Sequence, residues 1–314
     1  MSIDLAPVRS ARRLLIEAEL EPVQGKRFQP TGFPDLGPAT FQAGDTACLL
    51  LESAQSMANR LEETIWDTGS NSLKNNFEGL SYIRVNDTEG AFLTSSTLEA
   101  HRLNSVYIEK CEGDFFTKEI SSAIGVDKKQ PVDRTKFVNA LFKYDINSLL
   151  HGVFLESLDG RLRIPRSLSA FIEADSVTSV ASGGVKNDRV QASKEDGKAS
   201  KDGFGNVPFH REEFTAETIT AYFNVDIQQI RSYGLDDDAT ELLISLALFK
   251  IRALLDGDLR LRTACDLQLK EKQVVAKRPD RFVLPSLDQI ADALTLAIKK
   301  CVSKMVASTV VYKK

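Results

Sequence analysis

The chain has 314 residues, 42% of them hydrophobic and 27% charged, which suits a globular protein with a substantial core and excludes a disordered tail or a fibre. Its formal net charge of −4 gives no global sign of a nucleic-acid binder, so any such role must rest on a local basic surface. No apolar run approaches the roughly 20 residues of a membrane span, and the N-terminal MSIDLAPVRSARR lacks the apolar stretch of a signal peptide, so a cytoplasmic protein is expected. Cys48, Cys111, Cys265 and Cys301 form no Cys-x-x-Cys pair, which argues against a zinc site or a disulfide framework and predicts buried thiols.

In LLIEAELEPV, Ile16, Ala18 and Leu20 alternate with Glu17, Glu19 and Glu21, the period of a half-buried strand whose acidic face cannot hold a phosphate backbone. QGKRFQPTGFPDLGPATFQAG sets three Pro and four Gly around a basic pair and predicts a long loop, a class of segment that is often functional. From Asp45 as N-cap, DTACLLLESAQSMANRLEETIW places Ala47, Leu50, Leu51, Ala54, Met57, Ala58, Leu61 and Ile65 on one helical face. Residues 67–145 read as mostly helical and irregular, with one helix over SSTLEAHRLNS and another over VDRTKFVNALFKY capped by Asp133. Strand character returns in LLHGVFL and LSAFIEADSV, separated by the turn SLDGRLRIP.

Residues 182–206 form a Gly-, Ser- and Lys-rich stretch that composition assigns to a flexible loop. ETITAYFNVDI then reads as a strand, and DDATELLISLALFKIRALLDG as a helix with acids at its start and Gly257 past its end. LRLRTACDLQL alternates as one regular strand, and the last helix opens at Ser286 with Gln289 three residues on, a capping box. This interleaving predicts an α+β fold, one elaborated domain around a mostly antiparallel sheet.

Chemistry has few candidates. His101, His151 and His210 lack zinc-motif spacing, and neither a phosphate loop nor a nucleophile elbow is present, so no cofactor, metal or catalytic role is expected. His151 reads as a structural histidine inside an apolar strand. Asp35, in GFPDLG, either reaches a ligand or supports its own turn. Three clusters suit nucleic acid better. Lys26, Arg27 and Phe28 combine two phosphate-reading charges with a ring able to stack on a base. Gln55, Ser56, Asn59 and Arg60 form a polar helix face with neutral donors and one fork-shaped cation. The segment from Gly183 to Gly205 holds five Gly and five Lys or Arg among four acids. A solvated surface is the competing reading of each.

Taken in order, GKRFQPTGFPDLGPATF, LLLESAQSMANRLE, TSSTLEAHRLNSVYI, NSLLHGVFL, RLRIPRSLSAFIEA and SGGVKNDRV lie between residues 25 and 190. Together they resemble the backbone subunit of the type I-G (formerly I-U) CRISPR effector complex, a seven-class Cas protein of the RAMP superfamily. The resemblance implies a modified RRM/ferredoxin-like palm spanning 1–314 as one domain, a helical fingers insertion at 67–145 and a thumb hairpin in the region 156–210. It implies copies stacked head to tail along CRISPR guide RNA in a Cascade-like complex for antiviral defence. The guide's bases are then left to pair with target DNA. The implied partners are the guide, target DNA through it, further copies and other Cascade subunits, with no membrane. Ser53, Gln55, Ser56, Asn59 and Arg60 match the guide-gripping helix of that family, and Lys186, Asn187 and Arg189 fall on its thumb. No RNP1 string is present, so base stacking by sheet aromatics is not implied. Two alternatives stand beside this reading: metal-dependent RNA cleavage through Asp35, as in some related backbone subunits, and a scaffold that touches protein alone.

Overall fold

A computed structural model describes residues 3–33, 35–127, 129–158, 160–186, 207–257 and 259–313. Strand β1 (Leu14–Pro22) keeps the expected alternation, burying Leu14, Ile16, Ala18 and Leu20 while Glu17 and Glu21 face out. The Pro- and Gly-rich loop after it ends in β2 (Thr40–Ala43), which turns back into β3 (Thr46–Glu52). The sequence pattern starts a helix at Asp45, and the structure corrects it. Leu49 is paired on both flanks, with Thr40 on one side and Ala174 on the other, so sheet partners capture a run whose spacing also suits a helix. The chain becomes helical only after Ser53, whose extended backbone and side-chain acceptor for the Ser56 amide (3.3 Å) make it the N-cap of α1 (Ala54–Glu63). Ser53→Ala should therefore cost about 1 kcal/mol, read as a lower urea midpoint with an unchanged slope.

The remaining large elements are β4 (Tyr82–Asn86), β5 (Phe92–Ser95), α2 (Arg134–Tyr144), β6 (Leu168–Asp175), β7 (Thr178–Lys186), β8 (Val207–Thr215), β9 (Thr218–Val225), α3 (Asp237–Asp256), β10 (Leu259–Arg262), β11 (Cys265–Leu269), β12 (Ala276–Arg278), α4 (Leu287–Cys301) and β13 (Ala307–Val311). The main antiparallel sheet runs β10-β11-β1-β9-β6-β3-β2, with β12 also on β1. In chain order β1, α1, β6, β9, α3 and β11 make a βαββαβ run, and their spatial order β11-β1-β9-β6 is that of a ferredoxin-like palm. Helix α1 packs on β6 and on α3, closing one face of the palm.

Several expectations hold in detail. Asp133 accepts from the Lys136 amide at 3.0 Å to cap α2, Gly257 follows α3, and Ser286 with Gln289 forms the capping box of α4. All four cysteines are free and buried. Among the described residues no helix is long and apolar enough to cross a membrane.

Others are corrected. Residues 67–145 are not mainly helical, because β4 pairs antiparallel with β5 and parallel with β13 in a separate three-stranded sheet. SSTLEAHRLNS forms turns and a short 3-10 segment, with Arg102 at φ 49°, where an α-helix cannot continue. LLHGVFL is not a strand: Asn147–His151 is a helical turn ended by Gly152 at φ 82°. A Cβ at Gly152 would lie 2.9 Å from the Ile164 carbonyl oxygen, so glycine lets the two segments close on each other. Only Val153–Phe154 is extended, paired with Arg163–Ile164. LRLRTACDLQL is the hairpin β10–β11. Its two-residue turn, Thr263 and Ala264, preserves parity, so Leu259, Leu261, Cys265 and Leu267 stay buried on either side of it and mimic one strand.

Between β6 and β9 the chain projects the hairpin β7–β8, paired from Thr178↔Thr215 to Lys186↔Val207. Residues 182–186, expected in a flexible loop, are thus strand. Gly183 permits the close approach, since a Cβ there would meet the Phe209 carbonyl oxygen at 2.6 Å.

Candidate nucleic-acid interface

The beginning of α1, the turn at 100–104 and the segments 151–156 and 163–166 surround an open groove of about 870 Å³. Its wall includes Gln55, His101, Asn104, Phe154, Arg163 and Arg166, and among the described residues Glu156 is its only carboxylate. Arg166 ties one wall together: Nη1 donates to the Ala54 carbonyl at 2.9 Å and Nη2 to Gln55 Oε1. Phe154 and Arg163, also in the wall, are cross-strand partners; Arg163 is exposed and Phe154 is 45% exposed. A guanidinium, a half-exposed ring and amide side chains around one cleft can bind phosphate oxygens and base faces alike.

Beneath the groove lies a buried polar cluster. Arg102 donates to both oxygens of Glu62, at 2.7 Å each, and to the Gly152 carbonyl at 3.2 Å. Burial raises the Glu62 pKa, while its bonds to Arg102 pull it down. Lys250, on α3, reaches Asn147 Oδ1 at 2.7 Å and His151 Nε2 at 3.0 Å, and burial lowers its pKa to about 7. Asp145 accepts from the Ser148 hydroxyl at 2.6 Å, and burial raises its pKa to about 6. His151 is 1% exposed, and burial, then the charges of Lys250, Arg102 and Arg166, holds its pKa well below the usual imidazole range. The cluster therefore joins α1, Arg102, the segment 145–151 and α3 beneath the groove.

The structure scatters the residues picked from sequence. Gln55 lines the groove and Asn59 is exposed on the same helix, whereas Ser53 and Ser56 are bound to each other as cap and capped amide. Arg60 is a correction: its guanidinium donates to the Leu261 carbonyl at 2.7 Å, to the Arg260 carbonyl and to Glu52, tying α1 to β10 instead of standing open. Phe28 is another, because its ring is 1% exposed in the core, where its backbone bridges Phe214, and it offers no stacking face. Arg27 pairs with Glu213 at 3.5 Å, and Lys26 lines a different cavity together with Glu19, Glu21 and Glu217. These acids oppose a phosphate. Lys186 ends the described part of β7; Asn187 and Arg189 lie outside the described residues. Asp35 is exposed at the tip of the small hairpin Gly32–Phe33/Gly37–Pro38, and among the described residues no group of three His, Cys, Asp or Glu gathers to hold a metal ion.

Sequence reasoning missed His101, Asn104, Phe154, Arg163 and Arg166. The signal for the two arginines was the string RLRIPR, three arginines in six residues, which reads on its own only as part of a turn.

A family model described as CRISPR-associated protein GSU0053 (Cas_GSU0053) matches residues 14–179. No curated protein matches the chain. Among solved structures, a chain of a "CRISPR RNA-guided surveillance complex, pre-nicking" is similar at 14% identity, over 85% of this chain and 79% of that one, with a TM-score of 0.44. Csc2 of Thermofilum pendens is similar at 9% identity, over 96% of this chain and 82% of that one, with a TM-score of 0.32.

Proposed function

Since the chain belongs to the family of CRISPR-associated protein GSU0053, we propose that it is the guide-RNA-binding backbone subunit of a Cascade-like effector complex, with the groove at the start of α1 as its grip on the RNA. The observation that carries this reading is the charge of that groove. In a chain of net charge −4, its wall presents Arg163 and Arg166 against Glu156, its one carboxylate among the described residues, while Arg102 is balanced by Glu62. In this reading residues 67–145 are the fingers insertion, and the hairpin β7–β8, within 156–210, is the thumb. Phe209 and Val185, 50% and 56% exposed on that hairpin, suit contact with a neighbouring copy. Copies associate head to tail through unlike surfaces that do not close, so a longer guide recruits more of them and presents its bases for pairing with target DNA in antiviral defence. The subunit binds and does not cut.

Filter binding with RNAs of unrelated sequence, repeated over a range of salt, tests the grip. Arg163→Ala and Arg166→Ala should each weaken binding by a similar factor for every RNA, and each should lower the salt slope by about 0.7, the share of a single neutralised phosphate. A variant that changed preference among bases, or wild-type binding indifferent to salt, would contradict the assignment.

A further inference from the structure

We infer that Arg166 serves the groove as a positioning residue: it locks the amide of Gln55 so that this part of the wall offers only N–H groups, which receive an oxygen acceptor of a sugar–phosphate backbone. The identity of that backbone as RNA rests on the function proposed above; the lock itself rests on the geometry.

Gln55, the second residue of α1, and Arg166, two residues before β6, both line the groove. Arg166 is half-buried, and two of its donors are committed: Nη1 to the Ala54 carbonyl at 2.9 Å and Nη2 to Gln55 Oε1. Both acceptors belong to the first turn of α1, so the guanidinium grips its backbone and a side chain together. A guanidinium has no lone pair to offer, so the Gln55 atom that faces it must be the oxygen. That bond leaves the nitrogen, with its two N–H groups, as the free end of the amide. Gln55 is exposed, and its Nε2 has no partner among the described residues. An unheld glutamine turns either end toward a ligand; this one offers donors alone.

The neighbours favour an acceptor that carries negative charge. Both acceptors of Arg166 are neutral, and no carboxylate pairs with it among the described residues. Glu62, beneath the groove, is already taken by the two prongs of Arg102. Asn104, elsewhere in the wall, repeats the pattern: the Ser157 hydroxyl donates to its Oδ1 at 3.0 Å, so that amide too is left with N–H groups. The amino groups of adenine, cytosine and guanine find no acceptor at such an amide. Phosphate and ribose oxygens do find donors there, and every nucleotide carries them. The lock therefore suits a strand held by its backbone.

Binding of mixed-sequence single-stranded RNA over a range of salt separates the lock from simple charge. Gln55→Met should weaken binding about fivefold, the worth of a neutral hydrogen bond, with the salt slope unchanged because no charge is lost. Arg166→Lys keeps the charge but not the fork, so it should show a loss of about fivefold, again with an unchanged slope. In the double variant the second substitution should add less than about twofold, since each removes the same contact. DNA of the same sequence places the acceptor: an equal loss assigns a phosphate oxygen, and a loss confined to RNA assigns a ribose hydroxyl. In the free chain the Gln55 side-chain amide, identified by its absence from the Gln55→Met spectrum, should be rigid by ¹⁵N relaxation and become mobile in Arg166→Lys. Full-strength binding by Gln55→Met, losses that simply add, or a slope that falls in Gln55→Met overturn the proposal while leaving RNA binding intact. An amide as mobile in the wild type as in Arg166→Lys overturns the lock whether or not RNA binds. If the wild type binds no RNA, the proposed function fails, and the mobility of the amide alone decides the lock. Should Arg166→Lys fail to fold, the wild-type relaxation and Gln55→Met still decide.

Discussion

Arg102→Met is expected to cost the chain about 3–5 kcal/mol of stability, the loss that follows when one partner of a buried ion pair is removed and the other stays behind. The Glu62 and Arg102 side chains are only 4% and 6% exposed, and the pair is a two-pronged fork with both contacts at 2.7 Å. Without the guanidinium, the Glu62 carboxylate has no counter-charge in direct contact, and the Gly152 carbonyl loses the donor that Arg102 supplied. The same substitution should loosen the groove, because this pair ties α1 to the turn at 100–104, two of the elements that surround it. Glu62→Leu combined with Arg102→Met should recover most of the loss, since replacing both charges removes the desolvation cost together with the attraction. Urea unfolding followed by fluorescence and by circular dichroism reads both variants. A single variant as stable as the wild type would mean that the pair is open to water in solution.

The palm was readable from sequence because its elements obey one period each. Strands β1, β6 and β9 and helices α3 and α4 appear where alternation, caps and charges place them. Where two periods fit the same residues, local pattern failed. ACLLLES satisfies a helix, but pairing of β3 on both flanks outweighs that preference. The hairpin β10–β11 hid inside an unbroken alternation because its turn has two residues. The candidate groove was the least legible part, for a physical reason. Its cations come from RLRIPR and its amides from α1 and the turn at Asn104, segments far apart in sequence that meet only through the fold. Arg60 and Arg102 show the reverse difficulty: composition makes each a candidate surface cation, and both are spent on internal partners. Family resemblance located the helix that lines the groove, and it did not say which of that helix's side chains stay free.

The same buried cluster should give the chain an unusual dependence of stability on pH, with the sign set by two groups. Lys250 has a pKa of about 7 in the folded chain against an ordinary 10.5, so between those values the folded state binds fewer protons than the unfolded one. Stability therefore rises as pH climbs through that window. Asp145, at about 6 against an ordinary 3.8, binds more protons folded than unfolded in its window, so stability falls as pH climbs from 3.8 to about 6. Taken by themselves these two contributions are least favourable between about pH 6 and 7; His151, held below the usual imidazole range, adds a rise as pH climbs toward 6.5, and Glu62, held above the usual carboxylate range, adds a fall as pH climbs from 4.5. The charges facing these groups explain why the shifts stop where they do. Glu62 and Asp145 support the Lys250 ammonium while Arg102 opposes it; for Asp145, the Ser148 hydroxyl and Arg102 favour the carboxylate while Glu62 opposes it. Comparison with variants removes the background from surface groups. Lys250→Met should lose the alkaline rise, so that from about pH 7 to 9 the wild type gains about 2 kcal/mol relative to it. Asp145→Asn should lose the acid limb and keep the alkaline one. Parallel urea midpoints of wild type and Lys250→Met across that range would show Lys250 titrating alike in the folded and unfolded chain, with its ammonium open to water.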